Sequence, residues 1–253
     1  MQFRRVLGLL PLALLLIAWE AAVELKVYPP VLLPPPLKVL MVFVDDWSTV
    51  LDNAAASISR VLTGITLSFL FAVPLGLMIG RYRLLDTMTD WSIQIFRSIP
   101  PIALIPMALL FLGIGDKPAI ALIFLAGLWP LLINTIFGVR NIERTLIKVA
   151  RAARASEMLV MRDIVLPASL PSIFTGLRLA VGGGWLTVVT AEMIAVKSGL
   201  GYMILNAQLT FRSDLIFAGI IVIGAIGLMA DQAIRVVRGY VCRWQEGLTS
   251  VPE

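Results

Sequence analysis

The chain has 253 residues, of which 59% are apolar and only 15% charged. Soluble proteins carry about 45–50% apolar residues and about 25% charged ones, so a chain of this size has no core large enough to hide the excess, and its solvent is lipid. Histidine is absent and Cys242 is the single cysteine, which excludes His-based catalysis, an intrachain disulfide and any His- or Cys-rich metal centre. The formal charge is +5, from 21 Lys and Arg against 16 Asp and Glu.

A helix needs about 20 residues to cross the hydrocarbon at 1.5 Å per residue. The uncharged run Val6–Trp19 follows Arg4 and Arg5. Signal peptides share that profile, but no A-x-A pattern follows, and Glu20, Glu24 and Lys26 come next. Residues 1–24 therefore read as a retained first helix. An outer segment, 25–59, contains Pro29, Pro30, Pro34, Pro35 and Pro36, a spacing that predicts a stiff, extended, non-helical stretch. Asp45, Asp46 and Asp52 flank Trp47, a residue suited to a membrane interface.

A transmembrane core, 60–240, comes next. Val61–Gly80, Ser98–Gly115 and Pro118–Val139 are uncharged runs of 20, 18 and 22 residues. A fifth span is interrupted, Leu170–Leu177 and Leu179–Ala191 being separated by Arg178 and closed by Glu192. The sixth is Leu215–Ala230, ending at Asp231. In the tail, 241–253, Cys242 lies near Arg243 and Trp244 and reads as an ordinary thiol. The expected class is an all-α polytopic membrane protein with about six transmembrane helices.

Positive charge marks the cytoplasmic side. With the N-terminus inside, the inner flanks hold Arg4, Arg5, Arg81, Arg83, Arg235, Arg238, Arg243 and six cations between Arg140 and Arg162. The outer side holds only Lys26, Lys38, Arg60, Lys117, Lys197 and Arg212. Both termini are therefore expected in the cytoplasm.

The inner connection of residues 140–170 is too long for a hairpin loop. Leu146, Val149, Ala150 and Ala153 recur on one helical face, with Arg144, Lys148 and Arg151 opposite. Met158, Met161 and Val165 form a second apolar set, and Pro167 is expected to end that helix. Two readings of this pair of short helices are open: an amphipathic segment resting on anionic headgroups, or a docking element for a cytosolic partner.

The stretch Lys148-Val-Ala-Arg-Ala-Ala-Arg154-Ala-Ser156, followed by Ile164-Val-Leu166-Pro167, resembles the EAA loop of permeases in bacterial ABC importers. That loop reads E-A-A, three residues, G, nine residues, I, one residue, L-P. The spacing matches throughout, with Lys148 where Glu is usual and Arg154 where Gly is usual. Phe96-Arg-Ser-Ile-Pro-Pro-Ile-Ala-Leu-Ile-Pro106, Thr175-Gly-Leu-Arg-Leu-Ala180, Ala191-Glu-Met193, Ser198-Gly-Leu-Gly-Tyr202 and Asp214-Leu-Ile-Phe217 are similar to the nitrate/sulfonate/taurine/bicarbonate group of that family. The resemblance implies a type I ABC importer permease fold in the bacterial inner membrane. It implies a second permease copy (a homodimer), two cytosolic ATP-binding subunits and an extracytoplasmic substrate-binding protein, and no nucleic acid. ATP and Mg would sit on the partner ATPases, with no cofactor on this chain, which lacks the phosphate loop G-x-x-x-x-G-K-[ST].

On this reading the ATPase-coupling loop comprises Leu146, Lys148, Val149, Ala150, Arg151, Ala153, Arg154, Ala155, Ser156, Ile164, Leu166 and Pro167. Candidate pathway residues are Arg97, Pro100, Arg178, Gly183 and Glu192. A charge at mid-bilayer costs about 2.5–3.5 kcal/mol on insertion scales, so such residues either contact a passing anion or are held by interhelical pairs and snorkelling. Gly182–Gly184 suggests close helix packing. An ion-coupled secondary transporter is the competing class, disfavoured by the patterned loop and the lack of an inverted repeat.

Overall fold

The computed structural model describes residues 2–243, so Trp244 and the rest of the tail lie outside the described residues. Eleven α-helices follow one another: α1 (Gln2–Glu24), α2 (Pro36–Asp45), α3 (Trp47–Arg81), α4 (Arg83–Arg97), α5 (Ile105–Leu112), α6 (Asp116–Arg140), α7 (Arg144–Ala152), α8 (Glu157–Val160), α9 (Leu166–Ala195), α10 (Leu200–Leu209) and α11 (Ser213–Val241). A 3-10 turn, Pro101–Leu104, precedes α5, and a π-helical turn, Met161–Val165, joins α8 to α9. α3, α6, the run Glu157–Ala195 and α11 are long and apolar enough to cross a membrane. The pair Arg83–Arg97 and Pro101–Leu112 makes a fifth crossing if counted as one span, bent by 78°.

α3, α6 and α9 form the centre, with α10 and α11 packed on α9. Small residues set the spacing. A Cβ added at Gly64 would lie 2.6 Å from Ile123, one at Gly127 2.8 Å from Ser68, one at Gly76 2.6 Å from Thr135 and one at Gly80 2.7 Å from Val139. These pairs advance in step, so α3 and α6 run parallel. Gly138 meets Ser172, Gly176 meets Leu131 and Gly183 meets Ala126, so α9 runs antiparallel to α6. Leu62, Leu70, Leu186 and Leu228 point outward, each at least 60% exposed, as side chains bathed by lipid do.

Several expected boundaries shift. The second span starts at Trp47, because Arg60 is neutralised inside the bundle and need not end a helix. Residues 25–35 carry no helix, but Pro36 opens α2, since a first-turn proline sacrifices no hydrogen bond, and α3 covers the rest of the segment from Trp47. Ser98–Gly115 is not one helix, because Pro100 and Pro101 break it and α4 before them is amphipathic with no buried residue. The fifth span is unbroken at Arg178, where Asp231 of α11 pairs with the guanidinium. Pro167 starts α9 rather than ending a helix, again as a first-turn proline. Of Gly182–Gly184, only Gly184 is tightly packed, with Ile65 and Ile123 3.0 and 3.1 Å from a Cβ placed there; Gly182 faces open space.

The central packing gives a graded expectation. Gly76→Leu should lower stability in detergent by about 1–3 kcal/mol, whereas Gly182→Ala should leave it unchanged or slightly higher. Thermal unfolding of the two purified variants checks this.

Candidate functional site

The 140–170 segment sits at one end of the bundle, together with the last turns of α3 and α6. α7 is anchored rather than loose: Ala150 is buried in a cluster with Val139, Val160 and Val165, against which Ile142, Ile147 and Ala155 pack. The expected apolar face is therefore split. Ala150 faces the bundle, while Leu146, Val149 and Ala153 face out, Leu146 at 47% and Val149 at 62% exposure. Met158 and Leu159 of α8 add to this outward patch. The Arg151 side chain lies outside the described residues.

Between α7 and α8 the chain turns at Arg154, whose φ is +54°. An L-residue there costs about 1–2 kcal/mol, and glycine would not bear that cost. This accounts physically for a glycine at the equivalent position of the EAA pattern. Ser156 caps α8 by accepting from the Leu159 amide at 3.3 Å. Glu157 receives Arg81 of α3 at 2.9 Å, tying α8 to the bundle. Ile164 lies in the π turn, which runs directly into α9 at Leu166 and Pro167.

Beside α6 lie two adjoining hollows. The first, about 440 Å³, is lined by Arg97, Pro101, Trp129, Gly183 and Thr187 among apolar neighbours. The second, about 330 Å³, shares Arg97 and Ile133 with it and adds Asp86, Asp90, Gln94 and Arg140. Arg97 is the one cation of the first hollow. Arg140 of the second is engaged by Asp86. The structure thus brings Arg97 and Gly183 to one cavity, with Pro101 rather than Pro100 in its wall. The other two expected pathway residues stand apart: Arg178 pairs with Asp231, which also holds Arg235 at 2.9 Å, and Glu192 belongs to a different network.

That network occupies the end of the bundle opposite α7. Glu192 is fully buried and accepts from Arg60 Nη1 at 2.7 Å, Ser57 Oγ at 2.8 Å and the Gly201 amide at 3.0 Å. Arg60 also reaches Asp116 at 2.8 Å and the Ser198 carbonyl at 2.9 Å. Asn53 accepts from the Gly199 amide at 2.8 Å. Gly199 has φ +104°, and a Cβ there would fall 2.2 Å from the Glu192 carboxylate, so both conformation and space require glycine. Sequence reasoning missed Arg60 and Ser57 because Arg60 lies next to the apolar run Val61–Gly80 and resembles a boundary charge. The signal was its position opposite Glu192, visible only once α3 and α9 are packed.

Nearby, outside the spans, Asp46 accepts from Arg212 at 2.6 Å, which holds its carboxyl below the usual range and raises the guanidinium. Cys242 is buried, which pushes its thiol up.

Long apolar helices around a tightly packed centre define a multi-pass membrane protein. Residues 72–238 match the family described as binding-protein-dependent transport system inner membrane component, and the chain belongs to that family of ABC transporter permeases. It is 33% identical over 242 residues to the taurine transport system permease protein of Escherichia coli, covering 92% of this chain and 87% of that protein. It is 38% identical over 199 residues to the bicarbonate transport system permease protein of Synechococcus elongatus, covering 78% and 69%. Its fold is similar to a chain of the inward-facing MetNI methionine ABC transporter, with a TM-score of 0.56 at 20% identity, covering 72% of this chain and 92% of that one.

Three measurements address these sites. Arg60→Gln should cost about 3–5 kcal/mol, because it leaves Glu192 as an uncompensated buried charge; Glu192→Gln should cost less, since an amide keeps an acceptor for Arg60 and Ser57. Unfolding of each variant in detergent reports the difference. Arg154→Gly should raise the unfolding free energy by about 1 kcal/mol. Asp46→Asn should cost roughly 0.2–1 kcal/mol at neutral pH. Because the folded Asp46 carboxyl is depressed, its contribution is present above the ordinary carboxylate range and is lost as pH falls through the depressed value. The variant and the parent should therefore converge in acid.

Proposed function

We propose that this chain is the membrane-spanning permease subunit of an ATP-driven importer that carries a small anion: nitrate, bicarbonate or an alkanesulfonate such as taurine. Both termini and α7–α8 face the cytoplasm, as the charge distribution favours. Two copies form the pathway, an extracytoplasmic binding protein delivers the cargo, and ATP and Mg act on two separate cytosolic subunits.

The observation that carries this reading is the outward apolar patch of Leu146, Val149, Met158 and Leu159. It is mounted on helices that are anchored at Ala150 and continue through the π turn into α9. Such a patch costs free energy in water and is relieved by seating α7 in a groove of a cytosolic subunit. Closure of the ATPase pair then pushes α7, and the π turn passes that displacement to α9. The Arg97 hollow supports an anionic cargo, because a single guanidinium in an apolar wall favours negative charge. The names of the taurine and bicarbonate relatives point to the same class.

Reconstitution with the ATPase and binding protein tests the proposal. Val149→Glu should leave the permease inserted but lower ATP-driven uptake about tenfold or more, as loss of an interface anchor does. Arg97→Gln should raise the half-saturating cargo concentration about tenfold or more. Uptake driven by an ion gradient with the ATPase omitted would instead identify a secondary transporter. Ala150→Glu would detach α7 from the bundle, because Ala150 is buried against it, so Val149 is the cleaner probe of docking.

A further inference from the structure

A third cavity, about 750 Å³, opens at the end of the bundle that carries α7, where the last turns of α3 and α6 meet Ile147, Lys148 and Val165. Four cations line it: Arg81, Arg83, Arg140 and Lys148, against one lining carboxylate, Asp86. Asp86 is engaged by Arg140, and Arg81 by Glu157. Among the described residues, neither Arg83 nor Lys148 makes an ion pair, and the buried Nε of Arg81 has no acceptor. Like charges gathered around one hollow repel one another, and a buried donor without an acceptor costs about 1–3 kcal/mol. An oxygen-rich anion in the hollow relieves the repulsion among its cations.

We propose that this cavity binds a phosphate group, with Arg81, Arg83, Arg140 and Lys148 as its cationic wall. Guanidinium forks match phosphate oxygens two at a time, and the ammonium of Lys148 supplies a compact charge opposite them. Two sources share this chemistry. One is the phosphodiester headgroup of an anionic lipid, which basic hollows between membrane helices accept; the other is a soluble phosphate. The exposed apolar side chains Tyr82 and Leu84 adjoin the site in sequence, which favours a lipid whose tail lies along α4. A phosphate seated here ties the ends of α3 and α6 to α7. The site stands on the cavity and its charges and does not depend on ATPase coupling.

The experiment measures retention of phosphatidylglycerol against phosphatidylcholine by the purified full-length chain in mixed detergent micelles, with inorganic phosphate and glycerol 3-phosphate as competitors. Arg83→Gln/Lys148→Gln removes the two unpaired cations and should lower phosphatidylglycerol retention about tenfold. Arg162→Gln, a largely exposed cation outside the cavity, should retain the lipid as the parent does, and equal unfolding temperatures establish that both variants are folded. Loss in the double variant with no competition by millimolar inorganic phosphate assigns a lipid headgroup. Competition by phosphate or glycerol 3-phosphate, abolished in the double variant, assigns a soluble phosphate. If the double variant binds lipid and phosphates as the parent does, or if Arg162→Gln loses as much as it does, the proposal is overturned.

Discussion

The parallel contact between α3 and α6 is the constraint on which the rest of the structure depends. Small residues let the two helices approach until Gly64 touches Ile123 and Gly76 touches Thr135. In lipid, where no hydrophobic force drives helices together, close van der Waals contact of this kind is the main source of association. Two parallel helices require the chain to return between them. α4 and the broken run Pro101–Leu112 make that return, bent by 78° at the break, and hollows lined by both α4 and α6 remain beside it. α9 packs antiparallel against α6, also touches α3, and carries the α7–α8 element at its start.

The two ends of this core have opposite electrostatic character. At one, Arg60 and Glu192 are buried together and satisfied by Ser57, Ser198 and the Gly201 amide. A buried pair of this kind adds little net stability over apolar packing, but it is costly to break, so it fixes the relative positions of α3, α9 and the 196–199 turn. At the other end, cations outnumber carboxylates, an apolar patch is exposed, and a π turn replaces regular helix. One end is thus held by a satisfied buried network, and the other leaves basic and apolar surface unmet.

The family pattern and the backbone explain each other at Arg154. Glycine at that position reads from sequence as a convention, whereas the φ of +54° shows the conformation that glycine would serve. Lys148, in the position of the usual Glu, adds a fourth cation to a hollow already lined by three arginines. The two departures from the pattern thus have different physical consequences, backbone strain in one case and local field in the other.

The sequence alone determined the solvent, the all-helical class, the patterned 140–170 segment and the family, because apolar composition, charge asymmetry and fixed motif spacing are properties of the linear chain. Pro118–Val139 was legible almost to its ends, since charges flank it closely. What the tertiary structure decided was where charges can be tolerated. Arg60 and Arg178 look like helix boundaries or transit residues until Glu192, Asp116 and Asp231 arrive from other helices, and then α3 and α9 run straight through them. The proline positions had the same ambiguity. Pro36 and Pro167 begin helices, where the amide that proline lacks has no intrahelical partner, whereas α4 stops short of Pro100 and Pro101, which could not continue it. The composition that first said only lipid, 59% apolar and 15% charged, is thus divided by the fold. Arg60 and Glu192 are buried as a pair and four cations gather round one basic hollow, and a charge inside the bundle is bearable because a partner from another helix meets it.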